Sequence, residues 1–133
     1  MNRRTLLGTI AAFALMPATS FAGSGFVEYE PGLIEKELAA GKTVFVDFSA
    51  TWCSTCKRQE RVINALRSAD PSYDASMMFV KVDWDTYRSH PVTVSRSIPR
   101  RSTLVLLKGD AELGRIVAGT SEPQIKALLD KGL

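Results

Sequence analysis

The sequence predicts an α/β fold in which a central mixed β-sheet carries helices on both faces. Three observations support this. Thr43–Ser49 and Met77–Val82 are apolar runs rich in β-branched and aromatic residues, the pattern of strands buried on both faces. Segments with helical spacing separate the strands, and strands joined through helices pair in parallel. The last two strands are linked by the short turn Gly109-Asp110, which implies an antiparallel pair.

The elements follow in order. Gly32–Ala40 carries Leu33, Ile34, Glu37 and Leu38 at helical spacing, and Gly41 ends it. Thr43–Ser49 is the first strand. From Ser54 to about Ala69 the chain is polar, with Val62, Ile63 and Leu66 marking one face of a helix. Met77–Val82 is the second strand. A weaker helix is expected between Thr86 and Ser97, with Pro91 near its start or interrupting it. Thr103–Leu107 and Arg115–Ala118 read as the third and fourth strands. Ser121-Glu122-Pro123-Gln124 has capping-box spacing with proline in the first turn, and Ile125, Leu128 and Leu129 form the buried stripe of a last helix.

A chain of 133 residues suffices for one domain with its own core. Residues 1–22 read as a cleavable export signal. Arg3 and Arg4 supply the positive start, Leu6–Met16 the short apolar stretch, and Ser20-Phe21-Ala22 the small residues before a cut at Gly23. Arg3-Arg4-Thr5-Leu6-Leu7 also fits the core of a twin-arginine signal. The apolar stretch is shorter than the about 20 residues of a transmembrane helix. The mature domain is therefore expected to span residues 23–133 in the periplasm or outside the cell. Loss of Arg3 and Arg4 takes the formal charge from +3 to +1. A nearly neutral domain gives no electrostatic reason to expect nucleic-acid or membrane binding.

Small exported domains often replace a missing core with several disulfides. Here Cys53 and Cys56 are the only cysteines. A bridge across three positions closes a tiny loop and constrains little of the unfolded chain, so the pair points to chemistry. A buried strand leads to Trp52, and a helix starts after Cys53. The first amides of a helix lack internal partners and its dipole is positive there, so a thiol at that point should be more acidic than the ordinary value of about 8.5. The two-residue gap sets both sulfurs on one turn. Cys53, expected at the exposed end, attacks a substrate disulfide; Cys56, one turn in, resolves the mixed disulfide.

Val46-Asp47-Phe48-Ser49-Ala50-Thr51-Trp52-Cys53-Ser54-Thr55-Cys56-Lys57 resembles the strand and active-site motif of the thioredoxin family. Phe79-Val80-Lys81-Val82-Asp83 resembles that family's next strand, and Ile98-Pro99 its cis-proline turn. Within the family, the resemblance extends to periplasmic thioredoxins and to the C-terminal domain of the membrane thiol reductase that imports electrons. It implies a thioredoxin-like fold from about residue 26 onward and a protein-disulfide reductase activity. It further implies that Asp47 is a buried acid that assists deprotonation of Cys56, with Lys81 nearby moderating its pKa. The alternatives are a strand-end acid facing water and a solvated lysine.

The sequence departs from the family at Pro99. The family runs Ile-Pro-Thr straight into an apolar strand, whereas here Arg100-Arg101-Ser102 intervenes before Thr103. The expectation is a cis Pro99 that faces the cysteines and, with Ile98 and Trp52, contacts substrate, while Arg100–Ser102 bulges at the rim. Two guanidinium groups would then lie near the thiolate and could tune it, as could Lys57; the alternative is solvated charges. Trp84 is expected to pack, and His90 to sit at a helix start or on the surface.

Metal binding is the rival function. Structural zinc needs four ligands, and two cysteines with one remote histidine cannot supply them. A copper(I) carrier could manage with two thiolates, though such carriers are not expected to set the pair behind a buried strand with an acid beneath. No cofactor and no metal are expected. Between the cysteines, Ser54-Thr55 lacks a histidine that would stabilise the thiolate strongly. The sequence therefore favours a reductant or disulfide-exchange protein over an oxidising disulfide donor. It would act as a monomer on client proteins with disulfides or thiols, and a membrane-bound thiol would replenish it.

Overall fold

The computed structural model describes residues 25–133, so the expected export signal and its cleavage site lie outside the described residues. In chain order the elements are β1 (Val27–Glu28), α1 (Leu33–Ala39), β2 (Thr43–Ser49), α2 (Ser54–Ala69), α3 (Ser72–Ser76), β3 (Met77–Asp83), α4 (Trp84–Tyr87), α5 (Pro91–Val94), β4 (Thr103–Lys108), β5 (Ala111–Val117) and α6 (Glu122–Asp130). All seven residues of β2 are buried, as its apolar composition requires. It is the middle strand of a five-stranded sheet ordered β1-β3-β2-β4-β5. β2 pairs in parallel with β3 and antiparallel with β4, and β4 with β5 is antiparallel. The sheet is mixed, as expected.

Strand side chains alternate between faces, and the two faces hold two cores. Phe45, Phe79, Leu104 and Leu106 pack with Ile63 and Leu66 of α2 and with Ile125, Leu128 and Leu129 of α6. Val44, Val46, Phe48, Val80, Val82, Val105 and Leu107 pack with Ile34 of α1 and Val92 of α5. Asp47 and Lys81 share the parity of Phe45 and Phe79, which places them on the α2 side of the sheet as register partners. The buried stripe of α2 is Cys56, Gln59, Ile63, Leu66 and Arg67. Its spacing locks the helix that begins at the cysteines onto the sheet.

Departures from the expected elements have local causes. β1 is only two residues long and exists through its pairing of Val27 with Val80 and Glu28 with Lys81, which no local pattern encodes. α3 was not expected either; it is one short turn after Pro71. The expected helix between Thr86 and Ser97 is instead two short helices. Asp83 caps α4 by accepting from the Thr86 amide at 3.2 Å, and His90 caps α5 by accepting from the Val92 amide through Nδ1 at 3.1 Å. Pro91 occupies the first turn of α5, where its missing N–H costs nothing. β5 begins at Ala111 rather than Arg115: Gly109 turns the chain at φ 56° and the β4–β5 ladder shifts register at Leu106/Leu107. Ser121 caps α6 as its spacing predicts.

Arg67 is buried in α2. Its Nε donates to Asp74 at 2.6 Å and its guanidinium lies 4.1 Å from the Phe79 ring centroid. Removing one partner of a buried charged pair leaves the other uncompensated. Asp74→Ala should therefore cost about 1–3 kcal/mol in urea denaturation, with disulfide-reduction turnover unchanged. A loss well below about 1 kcal/mol would show Arg67 to be satisfied by its other contacts, the Gly25 carbonyl and Asn64.

Candidate active site

The chain leaves β2 at Ser49, crosses Ala50-Thr51-Trp52, and starts α2 with Cys53 as the capping residue in extended conformation. The Cys53 Sγ accepts a hydrogen bond from the Cys56 amide at 3.1 Å. One of the unpaired donors of the helix start is thus aimed at this sulfur. Cys53 and Cys56 form a disulfide with their Cα atoms 5.3 Å apart. Contrary to the expected exposed position, Cys53 is only 3% accessible, and Cys56 is fully buried. Ala50 and Trp84 pack against them, so Trp84 does pack as expected, beside the cysteines as well as against the core.

The remaining cover is Ser102. Its Oγ lies 3.2 Å from Cys53 Sγ and 3.0 Å from Cys56 Sγ, and the residue has no exposed surface. Its backbone is fixed on three sides. The N–H donates to Phe48 O at 2.7 Å, and the carbonyl accepts from the Ala118 N–H at 2.8 Å and from Gln59 Nε2 at 3.0 Å. Gln59 Nε2 also donates to Gly119 O at 2.9 Å. This buried amide ties α2, the segment before β4 and the segment after β5 into one unit.

The cis-Pro99 expectation is corrected. Among the described residues there is no cis peptide bond. Pro99 is exposed and Ile98 is buried in the α1/α5 core, so neither covers the sulfurs. The three extra residues account for this. Thr103 Oγ1 donates to Arg100 O at 2.7 Å, closing a turn, and Ser102 at φ 62° leads the chain into β4. Ser102 therefore occupies the position directly before Thr103 that proline holds in the family's Ile-Pro-Thr. Aligning on Thr103 instead of on Ile98-Pro99 would have found it. No sequence signal singled out Gln59, whose role depends on two distant loops meeting.

The arginines lie at the rim in different roles. The Arg101 guanidinium stacks 4.5 Å from the Trp52 ring centroid, and Trp52 Nε1 donates to Asp85 at 2.9 Å. The indole, 57% accessible, is thus held from both sides beside the cysteines. Arg100 Nε donates to Arg101 O at 3.1 Å. The hydrogen bonds to the sulfurs come from Ser102 and the Cys56 amide instead of from either guanidinium. Exposed Lys57 lines a cleft of about 460 Å³ with Ser49, Glu60, Lys81 and Asp83.

Asp47 is fully buried, and neither carboxylate oxygen has a hydrogen-bond partner among the described residues. Burial pushes its pKa from the ordinary 3.8 up to about 7; Lys81 pulls it down and Glu60 pushes it up. Lys81 Nζ is paired with Glu60 at 3.0 Å on the wall of the cleft. Asp47 does not face water, and the Lys81 charge limits the rise of its pKa. The result is a carboxyl group able to exchange a proton at neutral pH.

A family model described as Thioredoxin matches residues 28–131. A thioredoxin H-type of Chlamydomonas reinhardtii is 31% identical over 101 residues, covering 73% of this chain and 84% of its own. Among solved structures, Trxlp of Edwardsiella tarda EIB202 has a TM-score of 0.64 at 33% identity, with 80% of this chain and 97% of that one covered. Thioredoxin NaTrxh of Nicotiana alata has a TM-score of 0.66 at 27% identity, with 86% and 97% covered.

The burial of Asp47 makes stability depend on pH. Between 3.8 and about 7 the folded protein keeps a proton on Asp47 that the unfolded chain has released, so stability falls as pH rises through that window. At about 1.4 kcal/mol per pH unit the contribution is on the order of 4 kcal/mol. Urea midpoints measured across the window should show this decline in the parent protein and lack it in Asp47→Asn. An equal decline in the variant would assign it to other groups.

Proposed function

Because this chain belongs to the thioredoxin family, we propose that its Cys53–Cys56 pair reduces or exchanges the disulfides of exported proteins. At the coarser level the protein is a thiol–disulfide oxidoreductase acting on disulfide-containing protein substrates. The observation that carries the dithiol chemistry itself is the Cys56 amide directed at Cys53 Sγ from 3.1 Å. A hydrogen bond to a charged acceptor is stronger than one to a neutral acceptor, so this amide favours the ionised sulfur.

The Cys53 thiolate attacks one sulfur of a substrate disulfide, whose S–S bond breaks, and the departing sulfur takes a proton. Cys56, now a thiol beside a mixed disulfide, loses its proton to the Asp47 carboxylate and attacks Cys53 Sγ. The second substrate thiolate leaves, and the Cys53–Cys56 disulfide forms. Two electrons have passed to the substrate. A dithiol donor restores the starting state by the reverse exchange, and we assign that role to a membrane-bound thiol. The substrate approaches past Trp52, whose exposed indole adjoins the buried pair.

The direction of flow rests on the neutral Ser54-Thr55 pair, which offers no cation to hold the thiolate. The leader features of residues 1–22 support work outside the cytoplasm by the mature domain 23–133, and the proposed working unit is the monomer.

Reduction of insulin disulfides by the dithiol form should disappear in Cys53→Ser, while Cys56→Ser should accumulate a mixed disulfide. Turnover that survives Cys53→Ser would give the chemistry to another group. Equilibration with glutathione should place the potential nearer the about −270 mV of reducing members than the about −120 mV of a strong oxidant. A value at the oxidising end would reverse the proposed direction.

A further inference from the structure

We infer that the Ser102 hydroxyl is a catalytic hydrogen-bond donor to the reacting sulfurs and sets the acidity of Cys53. This deepens the oxidoreductase reading above and rests on it. Every backbone polar group of Ser102 is committed elsewhere, to Phe48, Ala118 and Gln59, whereas its Oγ partners are the two sulfurs. The hydroxyl is buried, so water does not compete for it. In the oxidised protein it faces two weak acceptors. Reduction converts one of them into a thiolate at the same place, and a hydrogen bond to an ionised acceptor is roughly twice as strong as a neutral one. The hydroxyl therefore stabilises the reduced, ionised form in preference to the disulfide.

The backbone supports the same reading. Ser102 stands at φ 62°, a conformation uncommon for residues other than glycine. The three hydrogen bonds named above hold it there, and strain of this kind persists where surrounding structure enforces it. Glycine would satisfy the turn at lower cost, but it would supply no hydroxyl.

The two short distances also let one hydroxyl serve both halves of the cycle. With Cys53 ionised, Oγ–H donates to it while the Cys56 thiol donates to the Oγ lone pair. Once Cys53 is held in a mixed disulfide, the hydroxyl rotates and donates to the Cys56 thiolate as that sulfur attacks. No bond to Ser102 forms or breaks, and the Cys56 proton leaves by the route already described.

The test is the pH dependence of Cys53 alkylation by iodoacetamide in the full-length reduced protein, alongside thiolate absorbance. Ser102→Ala and Ser102→Gly should each raise the Cys53 pKa by about one unit. At a pH where Cys53 is ionised in all three proteins, the exchange constant with glutathione should shift about tenfold toward the disulfide, about 30 mV. The glycine variant relieves the positive φ, so it keeps the comparison open if Ser102→Ala folds poorly. A purely structural role would alter melting temperature and leave the pKa in place; an unchanged Cys53 pKa in Ser102→Gly overturns the inference. Loss of insulin turnover by the parent protein would overturn the oxidoreductase reading separately, because alkylation reports the Ser102 contact without any substrate.

Discussion

The hydrogen bond from the Cys56 amide to the Cys53 sulfur is the contact on which the site depends. It requires a helix that starts at Cys53 and nowhere else, and two features fix that start. β2 is buried along its whole length and cannot slide out of register, because a one-residue slip would send its core side chains to the opposite face. α2 is locked onto the sheet by Ile63 and Leu66 in the same core as Phe45 and Phe79. Strand and helix together leave only Ala50-Thr51-Trp52-Cys53 between them, so the Cys53 sulfur meets the helix terminus by construction. The arrangement costs solvent access: Cys53 is almost as buried as its partner, while the neighbouring Trp52 is exposed.

Groups that bear on protonation lie at two depths. Near the sulfurs, neutral donors act, the Cys56 amide and the Ser102 hydroxyl. On the α2 side of the sheet, Asp47 lies in register with Lys81, which is paired with Glu60 along an open cleft. Its carboxyl is too poorly solvated to ionise at its ordinary pKa, and the Lys81 charge keeps the value near neutrality instead of higher. A buried acid without hydrogen-bond partners is a poor way to stabilise a fold. Its presence at the middle of a central strand is understandable if the proton it carries is used. A tenfold effect from Ser102 amounts to roughly 30 mV, small against the roughly 150 mV between reducing and oxidising members, so it adjusts the potential without reversing the direction.

Much of this was legible in the sequence where local chemistry decides the outcome. Thr43–Ser49 and Ser54–Ala69 are bounded by their own composition, and both are found at the limits read from it. Ser121 and Gly109 mark a cap and a turn because each supplies a conformation or acceptor that its neighbours lack. What escaped depends on distant segments meeting. β1 acquires its identity only from β3, and Gln59 from Ser102 and Gly119. Ser102 was hidden for a further reason: Ile98-Pro99, three to four residues upstream, offered the more familiar pattern and drew the alignment away from Thr103. Asp47 could be suspected from its apolar neighbours, but its orphaned oxygens and the Lys81–Glu60 pair needed three elements in place.

The central claim is that one sulfur is held ionised at the start of α2. The most direct test is the absolute pKa of Cys53 in the reduced parent protein, read from the pH profile of its alkylation with the modified residue identified by mass. A value clearly below the about 8.5 of a free thiol, with Cys56 unmodified over the same range, is what this site predicts. A Cys53 pKa at or above 8.5, or preferential modification of Cys56, would contradict it.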